Sequence, residues 1–381
     1  MVEYAEYVAA EPDAVFVRRT HAASFDDRGQ FFEAGYLLAA ALLRGDGRPD
    51  DRLFVLKPNV VAGSDPRMQA RMQARAASDA GIVTDPDFVA GIVRRLRELG
   101  AARIVVAEGG GPMPMAPTFA ERGYERMAAE SGVGLLDLNK EPHAYAAGEL
   151  VWTPVEEGVV FKDIPFVLPV NGPDTVFINV PTMKTHNLAI VSLCCKALQG
   201  TIAMGYRHFC GAIEEALQRV PGAAAHYHED VLARIDHHYA RHVAAGYPLW
   251  DREGTRYEGY AQRTCDAVRA HRGFLCLVEG VIGRDGTAFH SGKDVLANLT
   301  IGGTNPVNVD AVTAYLMGHD PRRIGFLQVA AERGLGRIDP DRIPVYVLTE
   351  RGPVRAERLD DIGRVPLGVY FRGDTSRYVF F

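Results

Sequence analysis

The apolar positions along the chain predict an alternation of buried strands and amphipathic helices. Residues 14–18 read as a short strand, and residues 31–43 as an apolar-periodic helix stopped by Gly45 and Gly47. Leu53-Phe54-Val55-Leu56-Lys57 is a near-continuous apolar run that ends at Pro58-Asn59, the pattern of a strand covered on both faces. Thr84-Asp85-Pro86 opens the next helix. Thr84 or Asp85 can cap it and Pro86 suits its first turn. The helix should run to about Leu99, with Gly100 ending it. Strands are expected at 103–107 and 134–138, with a helix from about 118 to 131 between them. This β-α-β-α-β order predicts an α/β fold, a mainly parallel sheet flanked by helices in a Rossmann-like lobe.

Beyond residue 148 the pattern changes. Short apolar runs between turn residues over 148–170 predict a small antiparallel excursion. Thr175-Val176-Phe177-Ile178-Asn179-Val180 resumes the parallel pattern, followed by a polar loop over 181–187 and a helix over 189–198. Residues 205–272 read as mostly helical, and 273–282 and 296–301 as strands, the second antiparallel to the first. Helices at 305–317 and 324–333 and a strand at 345–348 follow. The organisation implied is an N-terminal α/β lobe (1–150), a β excursion with a central site loop (151–204), a helical insertion or lid (205–272), and a C-terminal α/β part (273–381) packing on the first lobe.

Composition narrows the class. At 381 residues, 47% of them hydrophobic and 24% charged, the chain can bury a large core. A net charge of −6 gives no basic footprint, so nucleic acid is not an expected partner. No apolar run is long enough to span a membrane, and Glu3, Glu6 and Glu11 argue against a secretory signal at the start. The five cysteines include the adjacent Cys194-Cys195 and form no C-x-x-C. A disulfide framework, a zinc ribbon and an iron–sulfur cluster are therefore not expected, and a reducing cytoplasm is. A small-molecule substrate is the partner expected, with a homodimer as the default oligomer.

Three loops follow predicted parallel strands, where ligands of open sheets collect: Lys57-Pro58-Asn59, Glu108-Gly109-Gly110-Gly111 and 181–187. Lys184-Thr185-His186-Asn187 brings together groups that can bind an anion, move a proton and orient a carbonyl, although Thr185 or Asn187 could equally cap a helix. Lys196 either points back to this loop or snorkels at the surface. The glycines after Glu108 permit close backbone approach and N–H contacts to an anion. Glu108 is either a base, a metal ligand or part of a simple turn. No G-x-G-x-x-G or G-x-x-x-x-G-K-[ST] is present, so no classical dinucleotide or ATP site is expected. G-x-S-x-G is also absent. Arg67, Arg71 and Arg75 form an i, i+4, i+8 stripe that could grip an acidic substrate but reads mainly as a solvated face or an oligomer contact. His226, His228, His237, His238 and His242 are dense in one stretch, and His238 and His242 have a usable ligand spacing, but no H-E-x-x-H. His208 after Tyr206-Arg207 is placed to fold onto the main site. Cys194 and Cys195 read as small buried hydrophobes.

Several stretches together resemble one family, the bacterial and archaeal domain of unknown function 362. They are Leu56-Lys57-Pro58-Asn59-Val60, Thr84-Asp85-Pro86, Glu98-Leu99-Gly100-Ala101, Phe177 through His186, Lys196-Ala197-Leu198-Gln199-Gly200, Asn308-Val309-Asp310-Ala311-Val312 and Gly334-Leu335-Gly336. Some members of that family carry cysteine-rich iron–sulfur segments. Ala197 stands where relatives tend to have Asn, and Val278-Glu279-Gly280 where an Asp-rich strand is usual, which implies a specialised member. The first lobe is also similar, as an analogy, to the nickel-pincer lactate racemases, which do proton and hydride chemistry on hydroxy acids.

The expectation is an enzyme, of lyase, isomerase or cyclase type, acting on a small carboxylate-bearing metabolite by acid–base proton transfer in a specialised biosynthetic pathway. His186, Lys184 and Glu108 are the catalytic candidates. Lys57, Asn59, Asn187, Lys196, Gly109, Gly110 and Arg207 are the substrate-binding candidates, with Glu279 or Asp285 as a second acid. The alternatives are a metal-dependent enzyme using a divalent ion on His186, His208 and a carboxylate such as Glu279, and a non-catalytic binding protein.

Overall fold

The computed structural model describes residues 1–61, 79–111, 114–140, 144–146, 148–207, 210–219, 222–247, 253–287, 291–371 and 374–381. The arginine stripe Arg67, Arg71 and Arg75, and His208, lie outside the described residues.

One eleven-stranded sheet organises the chain, with strand order β15-β14-β2-β13-β12-β9-β4-β5-β6 and with β10 and β11 attached alongside β12. The strands are β2 (Val15–Arg19), β4 (Asp50–Pro58), β5 (Ala101–Glu108), β6 (Gly134–Asp137), β9 (Thr175–Val180), β10 (Thr182–His186), β11 (Ile190–Ser192), β12 (Leu275–Arg284), β13 (Asp294–Gly303), β14 (Val345–Thr349) and β15 (Gly352–Arg355). Short ribbons β1 (Glu3–Tyr4) with β3 (Leu43–Arg44), β7 (Leu150–Pro154) with β8 (Asp163–Val167), and β16 (Val369–Phe371) with β17 (Asp374–Val379) lie off it. The antiparallel excursion expected over 148–170 is the β7–β8 ribbon.

The sheet is mostly parallel, as the βαβ pattern predicts: β4 pairs in parallel with β5 and β9, and β5 with β6. The antiparallel pairings are those of β13 with β12 and β2, of β15 with β14 at the edge, and of β11 with β10. Strand β2 sits between β13 and β14, so the N-terminal segment is built into the same half of the sheet as the C-terminal strands. Apolar side chains leave both faces. In β4, Phe54 and Leu56 join one core while Val55 joins the other. Helices Arg28–Leu42 and Pro86–Glu98 cover the first face; Thr255–Ala270, Pro306–Leu316 and Gly325–Glu332 cover the second.

Three local expectations are corrected. The helix expected over 118–131 is two helices, Ala116–Glu121 and Tyr124–Ser131, parted at Gly123 with φ 77°. The polar loop 181–187 is largely strand β10, parallel to β12. Pro181 interrupts what is otherwise one line of chain beside β12, because it has no N–H to donate to the ladder; its carbonyl accepts from Glu279 N at 2.9 Å. The helix expected over 189–198 is first strand β11, antiparallel to β10, and only then a short helix Cys194–Ala197. An apolar run of that length is compatible with either state, and pairing with β10 decides it.

Helix Thr255–Ala270, in the segment read as an insertion or lid, is buried along nearly its whole length. Its Asp266 carboxylate accepts from Val159 N, Val160 N and Phe161 N at 3.2, 2.8 and 2.9 Å and pairs with Arg333 at 2.7 Å. A buried acceptor with three backbone donors is expensive to remove, because each donor is left without a partner. Asp266→Ala should lower unfolding free energy by roughly 3–5 kcal/mol in chemical denaturation. A loss below about 1 kcal/mol would mean that this helix is a cover and not a wall.

Candidate functional site

Strands β5, β4 and β9 are neighbours, so the three loops singled out in the sequence do converge at their carboxyl ends. Strand order also reverses there. The chain adds β5 and β6 on one side of β4 and β9 and β12 on the other, the place where open sheets leave a crevice.

Lys57 and Glu108 end β4 and β5. Both are essentially inaccessible, and Lys57 Nζ lies 2.8 Å from Glu108 Oε1 and 3.0 Å from Oε2. The carboxylate is completed by Val60 N on Oε2 at 2.8 Å and Gly109 N on Oε1 at 2.7 Å. Burial pushes the Lys57 ammonium below its ordinary pKa, opposed by Glu108 and reinforced by Arg207 and Lys196. Gly200 closes over the pair: a Cβ there would come within 2.7 Å of Glu108 Oε1 and 2.8 Å of Lys57 Cε. Gly109 and Gly110 after Glu108 serve close packing in the same way, whereas a Cβ on Gly111 would meet nothing. Gly109 N–H is already spent on Glu108, and a Cβ at Gly110 would meet Val60 O at 2.1 Å.

Lys184 comes from β10 and is 2% exposed. Its Nζ donates to Asn59 Oδ1 at 2.6 Å and Ile82 O at 2.5 Å. Both oxygens are neutral. Burial, then the cations Lys196 and Arg284, hold its pKa well below the ordinary lysine value. Asn59 is in turn fixed by Thr84, whose hydroxyl accepts from Asn59 N at 2.9 Å and donates to Val180 O at 2.7 Å.

His186, two residues on, projects from the same face of β10 as Lys184 by strand alternation. Its Nδ1 accepts from Leu188 N at 3.0 Å and Ala189 N at 3.2 Å. The proton of the neutral imidazole therefore sits on Nε2, which lies 3.7 Å from Cys210 Sγ. These contacts hold the turn into β11, where Ile190 takes φ 67°, a costly conformation for a β-branched residue. Asn187 in this turn is half-buried.

Lys196 is the half-buried cation of the group. Its short helix is held by Asp310, which accepts from Cys194 N at 2.7 Å and Cys195 N at 2.9 Å. Burial raises the Asp310 pKa to about 6. Burial also raises both thiols, Cys194 and Cys195, well above their ordinary value, which leaves them protonated. Arg207 was read as substrate-binding. Its five N–H groups instead reach oxygens of the protein: Ile202 O from Nε and Nη2, Gly200 O from Nη2, and Gly109 O and Asn139 Oδ1 from Nη1. It positions the loops that carry the site, and burial brings its pKa down to about 10.

Glu279 lies on β12 against Thr182. It accepts from Thr182 Oγ1 and Ile282 N, both at 3.1 Å, and burial first, then Asp85, push its pKa up to about 8. Asp285 accepts from Lys293 N at 2.5 Å within the following turn. Among the described residues, neither His186 nor Glu279 forms a group of three metal-ligating side chains, and His208 lies outside them. Two residues escaped the sequence reading. Asn179, in register with Lys57, donates to Cys194 O at 2.9 Å while its Oδ1 has no partner among the described residues. Gln199 Nε2 is likewise buried and unpartnered among them. The signal in both cases was a polar residue inside a buried stretch.

Among the described residues no helix is long and apolar enough to cross a membrane. No curated protein matches the chain. One solved structure, a protein from Thermotoga maritima, is similar at 12% identity and a TM-score of 0.33, over 68% of this chain and 51% of that one, so the chain spans about half the length of its match. A family model described as a domain of unknown function (DUF362) matches residues 55–315, which takes in Lys57, Glu108, Lys184, His186, Lys196 and Asp310. The chain belongs to the DUF362 family.

Proposed function

We propose that the chain is an enzyme that moves a proton on a small carboxylate-bearing metabolite, as an isomerase, lyase or cyclase. The observation that carries this reading is Lys184. A neutral amine has two N–H groups, and two oxygens, Asn59 Oδ1 and Ile82 O, are there to receive them. Its lone pair would then be the group left to accept a proton, and burial among cations lowers its pKa well below the ordinary lysine value, which favours the neutral amine.

In the proposed reaction Lys196, the half-buried cation of the group, attracts the substrate carboxylate. Lys184 takes the proton from the carbon next to it, forming a C–C double bond as the electron pair moves onto the carboxylate or carbonyl oxygen. The His186 Nε2–H and the ammonium groups stabilise the charge that develops on that oxygen. Return of the proton to a different position is isomerisation; departure of a β-substituent is elimination. Glu108, paired with Lys57, holds that lysine in place rather than acting as the base. Glu279, neutral at pH 7, fits a donor better than an acceptor.

Small mono- and dicarboxylates incubated with the protein in D2O should exchange their Cα hydrogens, followed by proton NMR. Lys184→Met should slow the exchange by about 10²–10⁴-fold, and Lys184→Arg should do the same because guanidinium stays charged. Exchange at the wild-type rate in both variants would remove Lys184 from the role of base. A carboxylate that raises the melting temperature but shows no exchange or turnover would favour a binding protein.

A second outcome concerns stability. The Glu279 pKa is about 8 folded, against an ordinary 4.5. Its contribution is fully present below about 4.5 and is lost as pH rises toward 8, because the unfolded chain releases its proton first. Wild-type stability should fall across that window by an amount on the order of a few kcal/mol, and Glu279→Gln should flatten the slope. Parallel pH profiles for the two proteins in urea denaturation would contradict the assignment.

A further inference from the structure

We infer a divalent transition-metal site between helices Val231–Ala244 and Thr255–Ala270, formed by His238, His242 and Glu258. One ligand atom from each of these residues lies within 4.8 Å of the others. A tetrahedral zinc with bonds of 2.0–2.1 Å sets its ligand atoms about 3.3 Å apart, so the group closes on a metal with small side-chain movements. His238 and His242 are one turn apart on one face of the first helix, and Glu258 lies in the first turn of the second.

The surroundings are those of a held ligand set. His242 Nδ1 is 2.6 Å from Glu258 Oε2, and its Nε2 is 3.2 Å from Glu332 Oε2. With Nδ1 on the metal, the Nε2–H donates to Glu332, the carboxylate contact that metal-bound imidazoles characteristically keep on their far nitrogen. Glu332 is itself fixed by Arg241 at 2.7 Å and by the Tyr247 hydroxyl. The Tyr247 ring stacks on His242 at 5.0 Å with 9° between the planes. The second oxygen of Glu258 accepts from Gln262 Nε2 at 2.8 Å. His242 and Glu258 are buried, and His238 Nδ1 is buried with no hydrogen-bond partner among the described residues. A buried, unpartnered imidazole nitrogen on a residue grouped with a His–Glu pair is what a metal would satisfy.

Two imidazoles and one carboxylate suit zinc, cobalt or nickel better than magnesium or calcium. Three protein ligands leave one position open. A cavity of about 670 Å³ adjoins His238 and His242, and Arg241, Arg269 and Arg333 line it, so the exchangeable ligand is water or a small anion. This site shares no residue with the Lys184 and His186 site and does not depend on its function.

The test is metal binding to chelator-treated, full-length protein, using Co²⁺ and Zn²⁺ alone as probes. Co²⁺ should bind at one equivalent with the intense visible absorption of a four-coordinate ion, release protons, and raise the melting temperature. Zn²⁺ should compete it away. His238→Ala, at a half-exposed helix position, and the nearly isosteric Glu258→Gln should each weaken binding by about 100-fold or more. His237→Ala and His186→Ala should bind as the wild type does. Circular dichroism checks that each variant is folded. Absence of stoichiometric binding overturns the site, as does binding that survives both His238→Ala and Glu258→Gln, or that is lost in His186→Ala.

Discussion

Two opposite charges taken fully out of water, Lys57 and Glu108, are the constraint around which the carboxyl end of the sheet is arranged. A buried ion pair is tolerable when its geometry is good and its remaining lone pairs and protons are matched. Here that demand reaches into three segments. Val60 N and Gly109 N complete the carboxylate, Pro58 O takes another ammonium proton, and Gly200 must lack a side chain for the next segment to close over both. Arg207 then ties Gly109, Asn139, Gly200 and Ile202 together through neutral oxygens. The pair therefore fixes where the loop after β5 and the segment through Gly200 can lie.

Against that frame of satisfied charge, Lys184 is different. It is buried beside Lys57, Lys196 and Arg284 with amide and backbone oxygens as its hydrogen-bond acceptors. Positive charge in a desolvated place among other cations is costly, and that cost lowers the Lys184 pKa well below the ordinary lysine value. An arriving anion would change that balance, which links binding of a carboxylate to the protonation state of the same residue. The structural residues Asp310, Thr84 and Arg207 work at one remove: each holds backbone or an amide that in turn places a lysine.

The sheet was legible because parallel strands buried on both faces leave near-continuous apolar runs, as in Leu53–Leu56 and Val176–Ile178. The helix start at Asp85-Pro86 was legible from its cap, and Asp85 does accept from Asp87 N. Strand β10 was not. Thr182-Met183-Lys184-Thr185-His186 looks like a solvated loop, and it is buried only because tertiary partners satisfy each polar group: Thr182 with Glu279, Lys184 with Asn59, Thr185 with Gly286 O, His186 with the backbone of the turn. None of those partners is near in sequence except the last. The convergence of Lys57, Asn59, Glu108 and Lys184 could be argued from strand ends alone. The roles of Arg207 and of the glycines could not, since spacing does not reveal that a guanidinium is already saturated or that an N–H is already spent. The gathering of His238, His242, Glu258 and Glu332 involves three helices, of which sequence showed one face.

The most direct test of the account is the titration of Lys184 itself in the ligand-free protein. Lysines labelled with ¹³C at Cε, with Lys184→Arg to assign the resonance, report the protonation of each side chain by NMR. Lys184 should titrate well below the ordinary lysine value, and a bound small carboxylate should move it upward. A Lys184 signal that stays charged up to a pKa of about 10.4 without any ligand would contradict it.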